Sequence, residues 1–556
     1  MRRTVDTEVL RRTAPARSVR LPADEGWWRT AVIYQVYVRS FADGNGDGIG
    51  DLAGVRSRLP YLRALGVDAI WFTPWYRSPL ADGGYDVEDY REIDPRFGTL
   101  AEAELLIEEA LAHGIRTIVD IVPNHVSDRH PWFQEALAAG PGSAARERFW
   151  FHPGRGVHGE GVPTDWVSSF QGQTWTRTED AAGDPGEWYL HLFTPQQPDL
   201  NWTHPDVRRE HEDVLRFWFD RGVAGVRIDS AALPVKDPAL PDLPVGPAPA
   251  AADHPHIDRD ELHDIYRDWR AVADEYEGER VLVGEVWLDD AERFARYLRP
   301  GEMHTAFNFG FMTQPWSAAA MRASITRTLA EHAPVGAPAT WVLSNHDVTR
   351  PVTRYGRADS AFAFDRKRFG TPTDPERGLR RARAAALLVA ALPGSLYVYQ
   401  GDELGLPEVE LPREVIEDPM HFRSDGVDPG RDGCRVPLPW RGEASPYGFG
   451  GRPWLPQPTD WSTLTVEAQE RDPDSTLNLY RASIALRRTV PDLVDGALEW
   501  LELGADVLAF RRGDGVVSVT NLGSAEVPLP AHRDVLLASA PLRGVLPPDS
   551  TAWLTL

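Results

Sequence analysis

The chain reads as an α/β protein: a (β/α)8 (TIM) barrel with an inserted subdomain after strand 3 and a C-terminal antiparallel β-domain. Three observations predict this. Apolar strand-like runs alternate with amphipathic helical stretches, the order of a parallel sheet. Eight such runs can be placed, the number that closes a barrel. Four of them run straight into a carboxylate or an imidazole: Thr117-Ile-Val-Asp-Ile-Val-Pro-Asn-His125, Gly225-Val-Arg-Ile-Asp229, Val281-Leu-Val-Gly-Glu285 and Trp341-Val-Leu-Ser-Asn-His-Asp347. In a parallel barrel that C-terminal end is where side chains leave the packed interior and meet a substrate.

Residues 1–24 hold six arginines and no apolar segment of signal-peptide length, so a disordered tail without a Sec signal is expected. Strands are then expected near 31–38, 68–72, 116–122, 223–229, 281–286, 305–309, 340–344 and 395–399. The sixth, Thr305–Phe309, is short and bounded by glycine. Helical patterns at Leu100–His113, Asp206–Arg221 and Arg380–Ala391 fall between them. These elements assign residues 25–125 and 201–488 to the barrel. Residues 126–200, rich in Gly, Pro, Trp and His, are too long for a connection and form the inserted subdomain. The Pro- and Gly-rich stretch 404–465 is a long loop after the eighth strand, and Leu233–Pro255 an irregular one. In 489–556, segments such as Val507-Leu-Ala-Phe510 and Val516-Val-Ser-Val-Thr520 alternate as in antiparallel strands.

Bulk composition narrows the function. With 556 residues, 42% apolar and 26% charged, the chain is an ordinary large globular protein. A formal charge of −24 repels phosphate, which argues against nucleic acid or an anionic membrane as partner and suits a neutral substrate. The single Cys434 allows no intramolecular disulfide. No run of about 20 apolar residues is present, so no membrane span is expected, and the cytoplasm is the expected location. The 20 tryptophans exceed ordinary usage; flat rings stack on sugar faces, although they also simply pack.

The four carboxylate-bearing segments, in this order, resemble the α-amylase superfamily, glycoside hydrolase family 13, and within it the α-glucosidase and oligo-1,6-glucosidase branch. Further matching motifs are Gly44-Asn-Gly-Asp-Gly-Ile-Gly-Asp-Leu52, Gly84-Tyr-Asp86, Gln197-Pro-Asp-Leu-Asn-Trp202 and Gln400-Gly-Asp-Glu403. The likeness runs from about residue 26 to the end.

By that resemblance Asp229 is the nucleophile, Glu285 the general acid/base and Asp347 the third carboxylate. The chemistry agrees: a retaining glycosidase needs one ionised carboxylate and one protonated carboxyl, about 5–5.5 Å apart. Arg227 lies two residues before Asp229, on the same side of a strand, where a guanidinium would keep the nucleophile ionised. Glu285 follows an apolar run and precedes Trp287, so partial desolvation is expected to keep its proton. His125 and His346 are expected to bind sugar hydroxyls. The resemblance further implies that Tyr85 stacks on the sugar, and that Asp82 and Arg431 close the pocket around the non-reducing end, making the enzyme exo-acting. Asp120 and Asp199 are expected to do structural work.

Asp43, Asn45, Asp47 and Asp51 stand at positions one, three, five and nine of a loop like the first part of an EF-hand, with Gly48 at six. Gly54 stands where a bidentate Glu would complete it. The branch binds a divalent ion here with the carbonyl of Ile49, so a structural Ca2+ or Mg2+ is expected, and no organic cofactor. The chain departs from the branch at Ser230, at the following Ala-Ala-Leu-Pro, and at Phe170-Gln-Gly-Gln-Thr-Trp175, all on the substrate side. A small hydroxyl at Ser230 favours α-1,4 or broad specificity over strict α-1,6.

The expected function is a retaining exo-α-glucosidase acting on small α-glucosides. The alternatives are a trehalose- or sucrose-converting glucosyl transferase or isomerase with the same carboxylates, and a non-catalytic amylase-like scaffold. The scaffold is disfavoured because all three carboxylates are present and no span exists. Oligomeric state is not readable from the sequence.

Overall fold

A computed structural model describes residues 19–179, 183–244 and 253–556. Eight parallel strands form its centre: β1 (Val32–Val36), β2 (Ala69–Phe72), β3 (Arg116–Ile121), β4 (Gly225–Ile228), β5 (Val281–Gly284), β6 (Thr305–Ala306), β7 (Thr340–Val342) and β8 (Ser395–Tyr399). They run in the order β6-β5-β4-β3-β2-β1-β8-β7. Register is continuous around the sheet, with Ile33 opposite Ala69, Val119 opposite Val226, and Leu282 opposite Val226. Between the two ends, the Thr340 hydroxyl donates to the Ala306 carbonyl and draws the barrel shut. All five residues of β1, and all six of β3, are buried, as expected of strands covered on both faces.

The sixth strand is shorter than the run that predicts it. Asn308 ends it: its side chain accepts from the Phe311 amide and starts a helical turn at Phe309–Met312. Two helices match their patterns to within a residue, and the third begins five residues earlier than its pattern. Leu100–Ala112 opens on a capping box in which Thr99 and Glu102 satisfy each other's amides, and Pro375–Ala390 opens on Asp374. Pro205–Asp220 turns Val207, Val214, Leu215 and Trp218 inward.

The long segment between β3 and β4 carries a three-stranded antiparallel sheet of Phe151–His152, Pro185–Leu190 and Trp175–Glu179. After β8, the described chain from 404 to 465 has short helical turns and no strand. Near the C-terminus, Leu498–Leu501, Val507–Arg512, Val516–Asn521, Ser550–Thr555 and Val535–Ala538 form a five-stranded antiparallel sheet. The described part of 233–255 has no α-helix or strand, and 245–252 lies outside the described residues.

The expected disordered tail needs correction. Residues 1–18 lie outside the described residues, but 19–24 are placed: Leu21 is buried, and Asp24 accepts from Arg116 at 2.6 Å. A buried apolar side chain and a charge-assisted bond are enough to hold this stretch against the barrel. No described helix is long and apolar enough to cross a membrane.

Candidate active site

The barrel ladder itself delivers two of the acids. The Asp229 amide donates to the Ile121 carbonyl at 2.8 Å, and the Glu285 amide to Ile228 at 2.9 Å. Each carboxylate is therefore one residue beyond a strand end, with its backbone still tied to the neighbouring strand. Asp347 comes five residues after β7.

Arg227, 1% exposed, sits beneath them. Its Nη1 donates to Asp229 at 2.7 Å and to Asp120 at 2.9 Å, and its Nη2 lies 2.6 Å from Glu285 Oε2. One guanidinium thus faces three carboxylates. Burial pushes Asp229 well above the ordinary carboxylate range; Arg227 opposes this without cancelling it, and Glu285 adds to it. The expectation that a guanidinium here keeps the nucleophile ionised is corrected: burial outweighs Arg227. Asp120 is pushed up to about 7 by the same burial. It bonds Arg227 and the Tyr85 hydroxyl and does not line the pocket, which fits a structural role.

Glu285 is buried, in keeping with the desolvation expected from its apolar run. Its carboxyl meets donors rather than an apolar wall: the Trp287 indole at 3.0 Å on Oε1, and the Ser230 amide at 2.9 Å on Oε2 beside Arg227. Ser230 reaches it because its φ is 44°, the left-handed region that non-glycine residues rarely enter. This turn also brings Ser230 into the pocket wall.

On the opposite side, Arg431 forms a lock. Nε and Nη2 grip Asp418 at 2.8 and 2.9 Å, Nη2 also donates to Asp82 at 2.6 Å, and Nη1 donates to Asp347 at 3.1 Å. Its guanidinium lies 4.6 Å from the centre of the Phe170 ring. Arg435 adds a second bond to Asp347 at 3.0 Å. Burial would raise Asp347, yet it is held well below the usual carboxylate range by His346, Arg431 and Arg435. Because burial keeps His346 itself neutral, the two guanidiniums carry that effect.

These groups surround a cavity of about 330 Å³, at the small end of ligand pockets. Asp82, Tyr85, His125, Asp229, Glu285, Asp347 and Arg431 line it. Arg227 and His346 stand behind the wall: His346 stacks on Tyr85, ring centres 5.3 Å apart and nearly parallel, and its Nδ1 bonds Gln35 at 2.7 Å. His125 is pushed down to about 3 by burial and is bonded to the Tyr85 carbonyl and to Gln197. Asp199 is wholly buried, paired with Lys236 at 2.9 Å, away from the cavity.

Sequence reading missed Asp418, Arg435 and Gln197. Gln197 bridges Asp82 and His125 at 3.0 Å each. A signal was there: Arg431 and Arg435 in one short run, with Asp418 upstream, put buried-type charges into a loop that otherwise reads as solvated.

In the loop Asp43–Asp51, each side chain of Asp43, Asn45 and Asp47 accepts the amide two residues on, at 3.1, 2.9 and 2.8 Å. Asp51 caps the helix Leu52–Ser57 through Gly54. Three carboxylates, one amide oxygen and the Ile49 carbonyl make a hard-donor set suited to Ca2+ or Mg2+. Among the described residues, no three His, Cys, Asp or Glu side chains are gathered closely enough to hold an ion.

A parallel barrel whose C-terminal rim gathers three carboxylates in one pocket, two of them on one guanidinium, has the architecture of a barrel glycosidase. Comparison with known proteins makes this specific. Residues 35–496 match the alpha amylase catalytic domain, and the chain belongs to that family. It is 37% identical to a probable alpha-glucosidase of Rhizobium meliloti (strain 1021), over 89% of this chain and 88% of that one. It is 33% identical to the oligo-1,6-glucosidase of Parageobacillus thermoglucosidasius, over 87% of each. Among solved structures, an alpha-glucosyl transfer enzyme superposes with a TM-score of 0.82 at 34% identity, covering 95% of this chain and 99% of that one. The trehalulose synthase of Pseudomonas mesoacidophila MX-45 gives 0.81 at 30%, covering 96% and 100%.

Proposed function

We infer that the chain is a retaining, exo-acting α-glucosidase that removes terminal α-linked glucose from small glucosides. The observation that carries this is the Asp82–Arg431–Asp347 lock, which closes one end of the cavity that holds Asp229 and Glu285. A sugar chain can enter such a pocket only by its end.

In this reading Asp229 attacks the anomeric carbon, the glycosidic C–O bond breaks, and the Glu285 proton passes to the leaving oxygen. The glucosyl ester on Asp229 is then opened by water, whose proton returns to Glu285. Arg227 stabilises the ionised nucleophile against burial, and Asp347, fixed as an anion by two guanidiniums, faces the positive charge that develops on the sugar. Asp82 and Arg431 offer charged partners to the terminal hydroxyls. Ser230 leaves room at the rim for α-1,4 as well as α-1,6 linkages.

The test is trapping with a fluorinated α-glucosyl fluoride, peptide mass mapping of the labelled residue, and NMR of the first-formed anomer. A label on Asp229 with α-glucose as initial product is expected; β-glucose as initial product would overturn the reading. The two structural relatives above favour a second reading, in which a sugar replaces water as acceptor. A time course on maltose, isomaltose, sucrose and trehalose distinguishes them, since transfer yields new glucosides and releases less glucose than hydrolysis of the same number of bonds. We also propose a structural Ca2+ or Mg2+ in the Asp43–Asp51 loop, supported by its oxygen donors.

A further inference from the structure

A second cavity, of about 220 Å³, lies at the other end of the barrel. Its lining residues come just before strands rather than just after them. Trp28 and Arg29 precede β1, Glu279 precedes β5, and His304 precedes β6. It therefore opens on the face opposite the catalytic acids. Three guanidiniums line it, those of Arg29, Arg270 and Arg299, against one carboxylate, that of Glu279. On a chain of formal charge −24, a wall with this excess of cations stands apart.

The guanidiniums are only partly engaged. Arg29 Nη1 donates to the Gly336 carbonyl at 3.0 Å. Arg270 uses Nε on Asp274 at 2.8 Å and Nη1 on the Glu302 carbonyl at 3.4 Å. Arg299 uses Nε on the Arg296 carbonyl at 3.0 Å and Nη2 on the Glu302 carboxylate at 2.8 Å. Among the described residues, Arg29 Nη2, Arg270 Nη2 and Arg299 Nη1 make no hydrogen bond, and Arg29 has no carboxylate partner.

Two further donors stand in the same wall. Trp28 and His304 are both buried, with rings edge-on at 5.2 Å. Burial keeps His304 neutral, and its Nδ1 accepts the Leu282 amide at 3.1 Å, so the ring proton is on Nε2. Among the described residues, neither that N–H nor the Trp28 indole N–H has an acceptor. Glu279 does not serve: its Oε1 is 3.9 Å from His304 Nε2, and its Oε2 accepts the Gly26 amide at 2.6 Å. Buried donors without partners are unfavourable and call for an acceptor. A neutral sugar brings donors as well as acceptors, and a metal cation is repelled by the guanidiniums. An oxyanion brings acceptors alone and pairs with guanidinium in a matched, charge-assisted geometry.

We propose that this cavity is a second ligand site, for a small oxyanion of the phosphate or carboxylate class, whose occupant ties together the loops leading into β1, β5 and β6. The proposal goes beyond the α-glucosidase reading and does not depend on it.

The experiment follows Tm of the full chain by scanning calorimetry against inorganic phosphate or malonate, with chloride at matched ionic strength as reference. A rise that saturates is expected, as for a ligand of the folded state, and whichever anion half-saturates at the lower concentration names the source. Arg29→Gln changes an exposed side chain and should raise the half-saturating concentration about tenfold or more, the worth of one charge-assisted hydrogen bond. Trp28→Phe keeps the ring without its N–H and should raise it several-fold. Turnover at low temperature should be unchanged in Arg29→Gln. A linear rise without saturation, which is the mark of ion exclusion from the surface, overturns the proposal, as does a response that Arg29→Gln retains in full. A response abolished by saturating glucose places the anion at Arg431 in the catalytic cavity and also overturns it.

Discussion

The carboxylates of Asp229 and Glu285 are held by the two terminal nitrogens of a single guanidinium, Arg227, at 2.7 and 2.6 Å. Their spacing is therefore set by a rigid plane rather than by two independent loops, and each carboxylate is further fixed by a backbone amide bonded into the barrel. A pair so constrained suits a reaction in which one group attacks while the other gives up a proton.

Replacing Asp229 with Asn or Ala is expected to lower kcat by about 10⁴ or more, roughly 5.5 kcal/mol of barrier. The fold should survive, since the residue lies past the end of its strand. Circular dichroism and steady-state rates check this; a variant retaining a tenth of wild-type activity would contradict it.

Loss of the Glu285 carboxyl should harm substrates with poor leaving groups far more than activated aryl glucosides, which need no proton. Azide should partly rescue Glu285→Ala by attacking the stranded glucosyl ester to give an α-glucosyl azide. Equal losses on both substrate types, with no azide product, would assign the acid role elsewhere.

Arg431→Ala leaves Asp82, Asp347 and Asp418 facing one another without their shared cation. Breaking a buried ion pair typically costs about 3–5 kcal/mol, so both Tm and kcat/KM should fall together. Unchanged denaturant midpoints would show that the lock is not a structural unit.

Buried imidazoles should cost stability as the solution is acidified. Burial pushes His125 and His256 down to about 3 and His191 and His211 to about 4, with His304 and His346 also well below the ordinary value. The unfolded chain protonates these imidazoles near 6.5, so from about pH 6.5 downward it binds more protons than the folded one. Asp86 at about 6, Asp120 and Asp402 at about 7, and Asp229 act in the opposite sense, because their folded forms keep protons the unfolded chain releases. Other buried carboxylates, Asp199, Glu210 and Glu403 among them, are raised in the same way, so the imidazole share is isolated in a His256→Gln variant, whose Tm is expected to fall less than that of the wild type between pH 7 and pH 4.5. An equal fall in the two proteins would refute this.

Removing a bound divalent ion from the Asp43–Asp51 loop should lower Tm through loss of a ligand that favours the folded state, with activity at low temperature nearly intact. Calorimetry with excess chelator, followed by Ca2+ or Mg2+ readdition, checks this; identical curves throughout would exclude a structural ion.

The barrel was legible because its strands are buried on both faces and read as continuous apolar runs, which is how all eight were found. The three acids were legible because each follows such a run. The lock was only half visible. Arg431 and Asp82 stood out as motif residues, but Asp418 joins them through loop geometry that no periodicity encodes. Nor could the sequence show that Ser230 turns to a φ of 44° and aims its amide at Glu285. Backbone strain of this kind is imposed by the surrounding fold and leaves no pattern in residue type.

The lock also has a meaning for how the molecule comes into being. Asp82 and Arg431 are separated by 349 positions, and Phe170 contributes from a third region of the chain. All three of the proposed catalytic acids have been synthesised by residue 347, yet the residue that bolts Asp82 to Asp347 arrives 84 positions later. Contacts of such long range form late in folding. A nascent chain that paused between these points would carry the chemical groups on an unsealed cleft. In the proposed reading, selectivity for chain ends is therefore a property of the finished polypeptide, acquired after its acids are in place.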